Sequence, residues 1–143
     1  ILPTKRGEYK GDVKYRKVVS KRLRSLGLNE VKNYTLISPE MAEMFKYEEK
    51  DQIVLPNPMS IDKSIIRTTL IPSLLNVYHY NTSHGVKDVS IYEIAKTYDK
   101  KYEEITKVAG LMSGSYIHNS WKKDFEIDFM GYTHYKLLFE LIK

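Results

Sequence analysis

The sequence predicts an α+β fold in which an antiparallel sheet is flanked by helices. Apolar residues recur at helical spacing near the start, in the middle and at the end of the chain, and the strand-like segments follow one another through short polar connections. No glycine-rich turn leads from a strand into a helix, which disfavours a doubly wound parallel sheet. The 143 residues are 42% hydrophobic and 29% charged, as is typical of one compact domain.

The first half of the chain predicts a connecting arm, then a helix, a strand and a second helix. Residues 1–11 carry proline, glycine and charge without a periodic apolar pattern, which indicates an arm from an upstream module. A helix capped by Asp12 follows, because apolar residues recur at helical spacing up to Leu26 and Gly27 provides a stop. Residues 30–37 favour a strand, and the Ser-Pro pair at residues 38–39 then begins a short helix that runs to about Phe45.

The middle of the chain predicts two short extended pieces and a longer helix. Residues 52–55 form a brief apolar strand that Pro56 and Pro58 end, and residues 64–68 are the second extended piece. A helix starts after Thr69, with a proline in its first turn, and fades between residues 81 and 85.

The last part predicts a pair of strands and a final helix. Alternation over residues 89–98 predicts a strand, and residues 107–112 predict its neighbour, which Gly114 ends. After a loop over residues 115–123, Asp128 caps a helix with an apolar stripe. The stripe consists of Tyr135, Leu138, Phe139 and Ile142.

The composition removes several classes of chemistry. The chain has no cysteine, which excludes disulfides, thiolate metal ligands and a cysteine nucleophile. His79 and His84 are five residues apart and do not share a helical face, so we expect no metal site. The phosphate-binding GxxxxGK(S/T) and nucleophile GxSxG patterns are absent. Without an apolar run near ~20 residues or a signal peptide, we expect a soluble, cytoplasmic protein with no membrane partner.

The formal charge of +5 is concentrated at one end of the chain. Residues 1–24 carry nine basic and two acidic residues, a balance of +7, which leaves −2 for the rest. This distribution indicates a local anionic partner. Two interpretations stay open, because the bases either form the solvated face of the first helix or attract RNA phosphates. The candidate RNA contacts are Lys14, Lys17 and Lys21.

Glu93 is a single acid inside an apolar strand, where burial without a partner is costly. Arg67, on a preceding extended segment, can supply its counterion. We predict that these two residues form a structural pair rather than a catalytic one.

Several sequence blocks, in this order, resemble the β subunit of bacterial phenylalanyl-tRNA synthetase in its core domain. The blocks are LRSLGLNEV and NYTLISPE (residues 23–31 and 33–40), LPNPMS (55–60), IRTTLIPSLL (66–75) with YN (80–81), VSIYEIAK (89–96), and AGLMSG (109–114) with Trp121. The resemblance covers about residues 13–129. The family pattern is not followed after Phe129.

The resemblance implies a class II aminoacyl-tRNA synthetase-like core over residues 12–143, truncated at the C-terminus. In the family this domain docks on the catalytic α subunit, within a heterotetramer that charges phenylalanine tRNA with ATP and Mg²⁺. The first helix then packs on the α subunit, and the expected interface residues are Val19, Leu23 and Leu26.

The family's β domain is catalytically silent, and the same is expected here. An active class II core carries an arginine in its second motif, whereas residues 93–107 hold none. Without such a group the charge that develops during adenylation lacks stabilisation. We therefore expect no catalytic residue and no cofactor bound by this chain, with ATP and Mg²⁺ used by the parent complex. The alternative is an independent basic RNA-binding module, and a third hypothesis, an active ligase, is not expected.

Overall fold

The structure is a computed structural model that describes residues 7–44 and 52–114. These residues form three α-helices, one short 3₁₀ helix and six strands, which confirms the α+β class. The predicted loop at residues 115–123 and the predicted last helix lie outside the described residues. The elements in chain order are α1 (Gly11–Ser25), β1 (Asn29–Glu30), β2 (Leu36–Ile37), α2 (Pro39–Met44), β3 (Ile53–Val54), the 3₁₀ helix (Ile61–Lys63), β4 (Ile65–Ile66), α3 (Ile71–Ser83), β5 (Val89–Tyr98) and β6 (Glu104–Ser113).

The larger sheet has the strand order β1-β5-β6. Strands β5 and β6 form an antiparallel hairpin, paired from Val89 opposite Ser113 to Tyr98 opposite Glu104. Strand β6 therefore begins three residues before the predicted residue 107. Strand β1 runs parallel to β5, with Glu30 beside Tyr92. The larger sheet is thus mixed, whereas the sequence predicted an antiparallel one.

The smaller sheet is antiparallel, with β4 between β2 and β3. Ile66 of β4 pairs with Leu36 on one side and with Ile53 on the other. The prediction of one continuous strand over residues 30–37 is wrong, because β1 and β2 belong to different sheets. Between them, the Val31 N–H donates to the Tyr92 carbonyl at 2.9 Å, and the Asn33 N–H donates to the Glu93 carboxylate of β5.

Helix α1 begins two residues earlier than predicted and has a different cap. Lys10 occupies the N-cap position without a side-chain hydrogen bond, and Asp12 lies inside the first turn. There the Asp12 carboxylate is 3.0 Å from Nε of Arg16, one helical turn on. At the other end Gly27 adopts a φ of +84°, and the Leu28 N–H donates to the Leu23 carbonyl. The predicted glycine stop is confirmed, since this left-handed geometry favours glycine.

The larger sheet is packed between α1 and α3. Tyr92 and Ile94 of β5 are buried against α1 together with Leu23 and Leu28. Val89 and Ile91 are buried on the other face against Leu74 of α3. Because alternate β5 residues point to opposite faces, the strand is covered on both sides. A separate cluster of Ile37, Ala42 and Ile65 joins α2 to the smaller sheet.

Candidate functional site

Arg67 and Glu93 meet in the interior of the protein. Arg67 follows β4, Glu93 lies in the middle of β5, and the guanidinium engages the carboxylate through two parallel bonds. The Nη2 to Oε1 distance is 2.9 Å and the Nη1 to Oε2 distance is 3.2 Å. Only 2% of the Arg67 side chain and 1% of the Glu93 side chain are exposed. This geometry is the bidentate pairing in which arginine binds a carboxylate most strongly.

Glu93 also holds the chain between β1 and β2. The Asn33 backbone N–H donates to Oε1 at 3.1 Å, and the Asn33 side-chain amide donates to Oε2 at 2.9 Å. The Arg67 backbone N–H donates to the Thr35 carbonyl at 2.9 Å. Each carboxylate oxygen thus accepts two hydrogen bonds, and the pair links the two sheets. Since neither group reaches solvent, the arrangement suits a structural connection between the sheets.

A second polar cluster lies where α1 packs on β1 and β5. The Tyr92 hydroxyl, fully buried, is 2.9 Å from Ser20 Oγ, and the Ser20 hydroxyl donates to Glu30 Oε2 at 3.2 Å. The Lys32 ammonium lies 2.8 Å from Glu30 Oε1 and also donates to the Ile94 carbonyl at 3.2 Å. The hydrogen bond from Lys32 is the main cause that lowers the pKa of Glu30 below 4.5, and Ser20 and Tyr92 add to it.

This cluster of Ser20, Tyr92, Glu30 and Lys32 was not predicted from the sequence. Part of a signal is present, because Glu30 and Lys32 are two residues apart and lie on the same side of an extended segment. The contacts with Ser20 and Tyr92 join positions 10 and 62 residues away from Glu30, and no local pattern encodes them.

The predicted interface residues of α1 lie in different environments. Leu23 is 3% exposed and belongs to the core, and Val19 packs partly against the same cluster. Leu26 is 37% exposed. Tyr15 and Val18 share the Leu26 side of the helix and are 73% and 53% exposed. We call Tyr15, Val18 and Leu26 the apolar ridge.

The predicted RNA contacts lie on a neighbouring face of α1. Lys14, Lys17 and Lys21 are all exposed, and Arg24 continues the same row one turn further on. We call Lys14, Lys17, Lys21 and Arg24 the basic stripe. The Lys17 ammonium lies 5.0 Å from the centre of the Tyr9 ring. Within the described residues, none of the four takes part in an ion pair.

The basic stripe borders a cleft of about 280 Å³ between α1 and the β1–β5 edge, here called the α1 cleft. Four basic side chains and one acidic side chain line it, together with a serine and two apolar residues. These are Val13, Arg16, Lys17, Ser20, Arg24, Glu30, Lys32 and Ile94.

The turn between β5 and β6 is held by its own polar contacts. The Asp99 carboxylate accepts hydrogen bonds from the N–H groups of Lys101 and Glu103, both at 2.9 Å. On the hairpin itself, Lys96 forms an ion pair with Glu104. The bases of the hairpin are lysines. Both terminal nitrogens of Arg67, which reaches β5, donate to Glu93, whereas its buried Nε has no partner among the described residues.

In residues 7–44 and 52–114, no three or more histidine, cysteine, aspartate or glutamate side chains form a group able to hold a metal ion. In the same part of the chain, no helix has the length and apolar character needed to cross a membrane.

A sequence model of the family described as "Phenylalanyl tRNA synthetase beta chain CLM domain" matches residues 1–135. The chain belongs to this family. Similar proteins include the phenylalanine–tRNA ligase β subunit of Staphylococcus saprophyticus, 32% identical over 119 residues, which cover 79% of this chain and 15% of that protein. The β subunit of Fusobacterium nucleatum is 32% identical over an alignment of 148 residues, covering 96% and 18%. The chain thus spans less than a fifth of the length of these curated relatives.

Membership in the β-chain family confirms the resemblance inferred from the sequence blocks, and it does not favour an independent RNA-binding module. Solved synthetase structures share the fold. Pyrrolysyl-tRNA synthetase of Desulfitobacterium hafniense has a TM-score of 0.67 and 15% identity, covering 90% of this chain and 43% of that one. A histidine–tRNA ligase subunit of Alicyclobacillus acidocaldarius has a TM-score of 0.65 and 17% identity, covering 99% and 40%. The predicted class II synthetase-like fold is thereby confirmed.

Proposed function

We propose that this chain forms the core of a phenylalanine–tRNA ligase β subunit and acts as a non-catalytic scaffold for the catalytic α subunit. The observation that carries the proposal is the exposed apolar ridge of α1. Tyr15, Val18 and Leu26 lie beside a buried face that already holds the helix on its own sheet. Exposed Arg22 lies between Val18 and Leu26 on the same side of the helix. Exposed aromatic and aliphatic groups accompanied by an arginine are typical of a protein interface.

The proposal places the assembly in the cytoplasm as a heterotetramer that charges phenylalanine tRNA. ATP and Mg²⁺ belong to the α subunit. This division is supported by the β5–β6 hairpin, where residues 93–107 contain no arginine and the buried Arg67 is engaged by Glu93. Arg67 is bound within the fold, whereas adenylation requires cationic groups that are free to bind phosphate.

Assembly with the α subunit tests the scaffold role. In the full β subunit that contains this chain, Val18→Asp places a charge on the apolar ridge and is expected to abolish co-purification with the α subunit. Val54→Asp is the matched control, because Val54 is 60% exposed on the other sheet. Its variant is expected to assemble like the wild type. Failure of the wild type to assemble, or normal assembly of Val18→Asp with an unchanged melting temperature, contradicts the proposal.

A separate experiment tests whether the β subunit alone catalyses adenylation. The β subunit alone is expected to show no phenylalanine-dependent pyrophosphate exchange with ATP, whereas the assembled enzyme shows it. Exchange by the β subunit alone, at a rate that survives further purification, contradicts this part of the proposal.

A further inference from the structure

We infer that the basic stripe and the α1 cleft form a binding site for the phosphodiester backbone of RNA, separate from the apolar ridge. The inference rests on the proposed function in one respect, since the RNA in that assembly is the tRNA being charged. Three features point to it: the direction of the exposed faces of α1, the balance of charge in the α1 cleft, and the contacts that hold Lys32 beside that cleft.

The two exposed faces of α1 differ in chemistry. At 3.6 residues per turn, the basic stripe and the apolar ridge lie on adjacent sides of the helix, with the buried face between the ridge and the cleft. From Lys14 to Arg24 the stripe extends about 15 Å along the axis. A row of cations of this length faces several successive phosphates of a nucleic-acid strand, and sequence-independent affinity for RNA arises from such contacts.

The charge in the α1 cleft is positive after its internal pairs are taken into account. Glu30 is neutralised by Lys32 at 2.8 Å and receives the hydroxyl hydrogen bonds of Ser20 and Tyr92. Arg16 Nε lies 3.0 Å from the Asp12 carboxylate without hydrogen-bond geometry, and among the described residues the terminal nitrogens of Arg16 make no hydrogen bond. Lys17 and Arg24 add two further cations to the lining. An oxyanion that enters the cleft meets an excess of hydrogen-bond donors.

At the base of the α1 cleft, Glu30 holds the Lys32 ammonium in place. Lys32 is fixed by two contacts, to the Glu30 carboxylate and to the Ile94 carbonyl at 3.2 Å. Glu30 is in turn fixed by the buried hydroxyl of Tyr92. Lys32 is therefore pre-oriented, so less of its side-chain entropy is lost on binding.

Salt-dependent binding of tRNA to the assembled enzyme tests the site. The variant removes two cations of the cleft, Lys17→Gln with Arg24→Gln, in the full β subunit. The control removes two exposed lysines elsewhere, Lys63→Gln with Lys87→Gln. Affinity for a phenylalanine tRNA transcript is measured by fluorescence anisotropy over a range of salt concentrations.

The cleft variant is expected to lower the slope of log affinity against log salt by about 1.4 to 1.8, since each lost phosphate contact removes 0.7 to 0.9. The control is expected to keep the wild-type slope, and both variants should assemble with the α subunit. A wild-type slope in the cleft variant overturns the inference. Loss of α-subunit assembly in the cleft variant also overturns it, because the occupant is then an acidic protein surface. A wild-type β subunit that never assembles refutes the scaffold proposal instead, and its own slope of tRNA binding still tests the site.

Discussion

Arg67 and Glu93 connect the two sheets through a pair of parallel hydrogen bonds of 2.9 and 3.2 Å, with both side chains almost fully removed from solvent. The carboxylate also accepts two bonds from Asn33, so that loss of the arginine leaves a buried charge with the amide groups alone. A buried ion pair contributes little when compared with an apolar pair, but it is costly to break from one side.

Arg67→Met is expected to lower the free energy of unfolding by about 3–5 kcal/mol, because Glu93 is then buried without its counterion. Urea unfolding at neutral pH measures the change. Lys96→Met is the control, since it removes an ion pair with Glu104 that lies at the surface, and a much smaller change is expected. Equal losses in the two variants contradict the structural role of the buried pair.

The pairing of Arg67 with Glu93 was predictable, because an acid in an apolar strand requires a partner and few cations lie on neighbouring extended segments. Strand β5 was predicted with its observed bounds, since alternation over residues 89–98 is a local signal. Gly27 ends α1 as predicted, and this signal is also local, because a single glycine is enough to allow the positive φ that ends a helix.

The contacts that sequence reasoning missed are determined by distant parts of the chain. The break between β1 and β2 depends on Asn33, which binds a carboxylate 60 residues away instead of continuing the strand. The parallel register of β1 with β5 has the same origin, because parallel strands are joined by long connections that leave no turn signal. Asp12 is not the cap because the helix already begins at Gly11, which places Asp12 inside the first turn.

Gly114 is expected to resist substitution for two reasons. Its φ is +88°, and an added Cβ would collide with the Asp88 carboxylate and lie 2.8 Å from the Lys87 carbonyl oxygen. Gly114→Ala should therefore cost more than Gly85→Ala, where φ is +85° and the space around the Cβ is open. Both variants carry the cost of backbone strain, about 1 kcal/mol or more. The difference between their free energies of unfolding therefore measures the steric contact at Gly114. Thermal unfolding of the two variants measures it, and equal melting temperatures contradict the expectation.

The Glu30–Lys32 pair predicts a pH dependence of stability. The pKa of Glu30 lies below its ordinary value of 4.5 in the folded protein, mainly because of the hydrogen bond from Lys32. The pair therefore stabilises the fold at pH values above 4.5, and this contribution is lost as the pH falls through the lowered pKa. Lys32→Met should reduce stability at pH 7 and converge on the wild type in acid. Lys87→Met, which removes an exposed lysine, should show no such convergence. A carboxyl NMR titration in which Lys32→Met leaves the pKa of Glu30 unchanged refutes the assignment.

Leu23 and Leu26 separate the stability of the chain from its assembly. Leu23 is 3% exposed and packs against Leu28, Tyr92 and Ile94, so Leu23→Ala is expected to cost about 2–5 kcal/mol of folding free energy. Leu26 is 37% exposed on the apolar ridge. Leu26→Ala should change folding much less and should weaken binding of the α subunit. For each variant, urea unfolding measures the folding free energy, and a titration of the α subunit onto the full β subunit measures the affinity. If Leu26→Ala binds the α subunit as tightly as the wild type does, the ridge does not contact the α subunit at Leu26. A comparable loss of folding free energy in both variants would instead place Leu26 in the core, against its observed exposure.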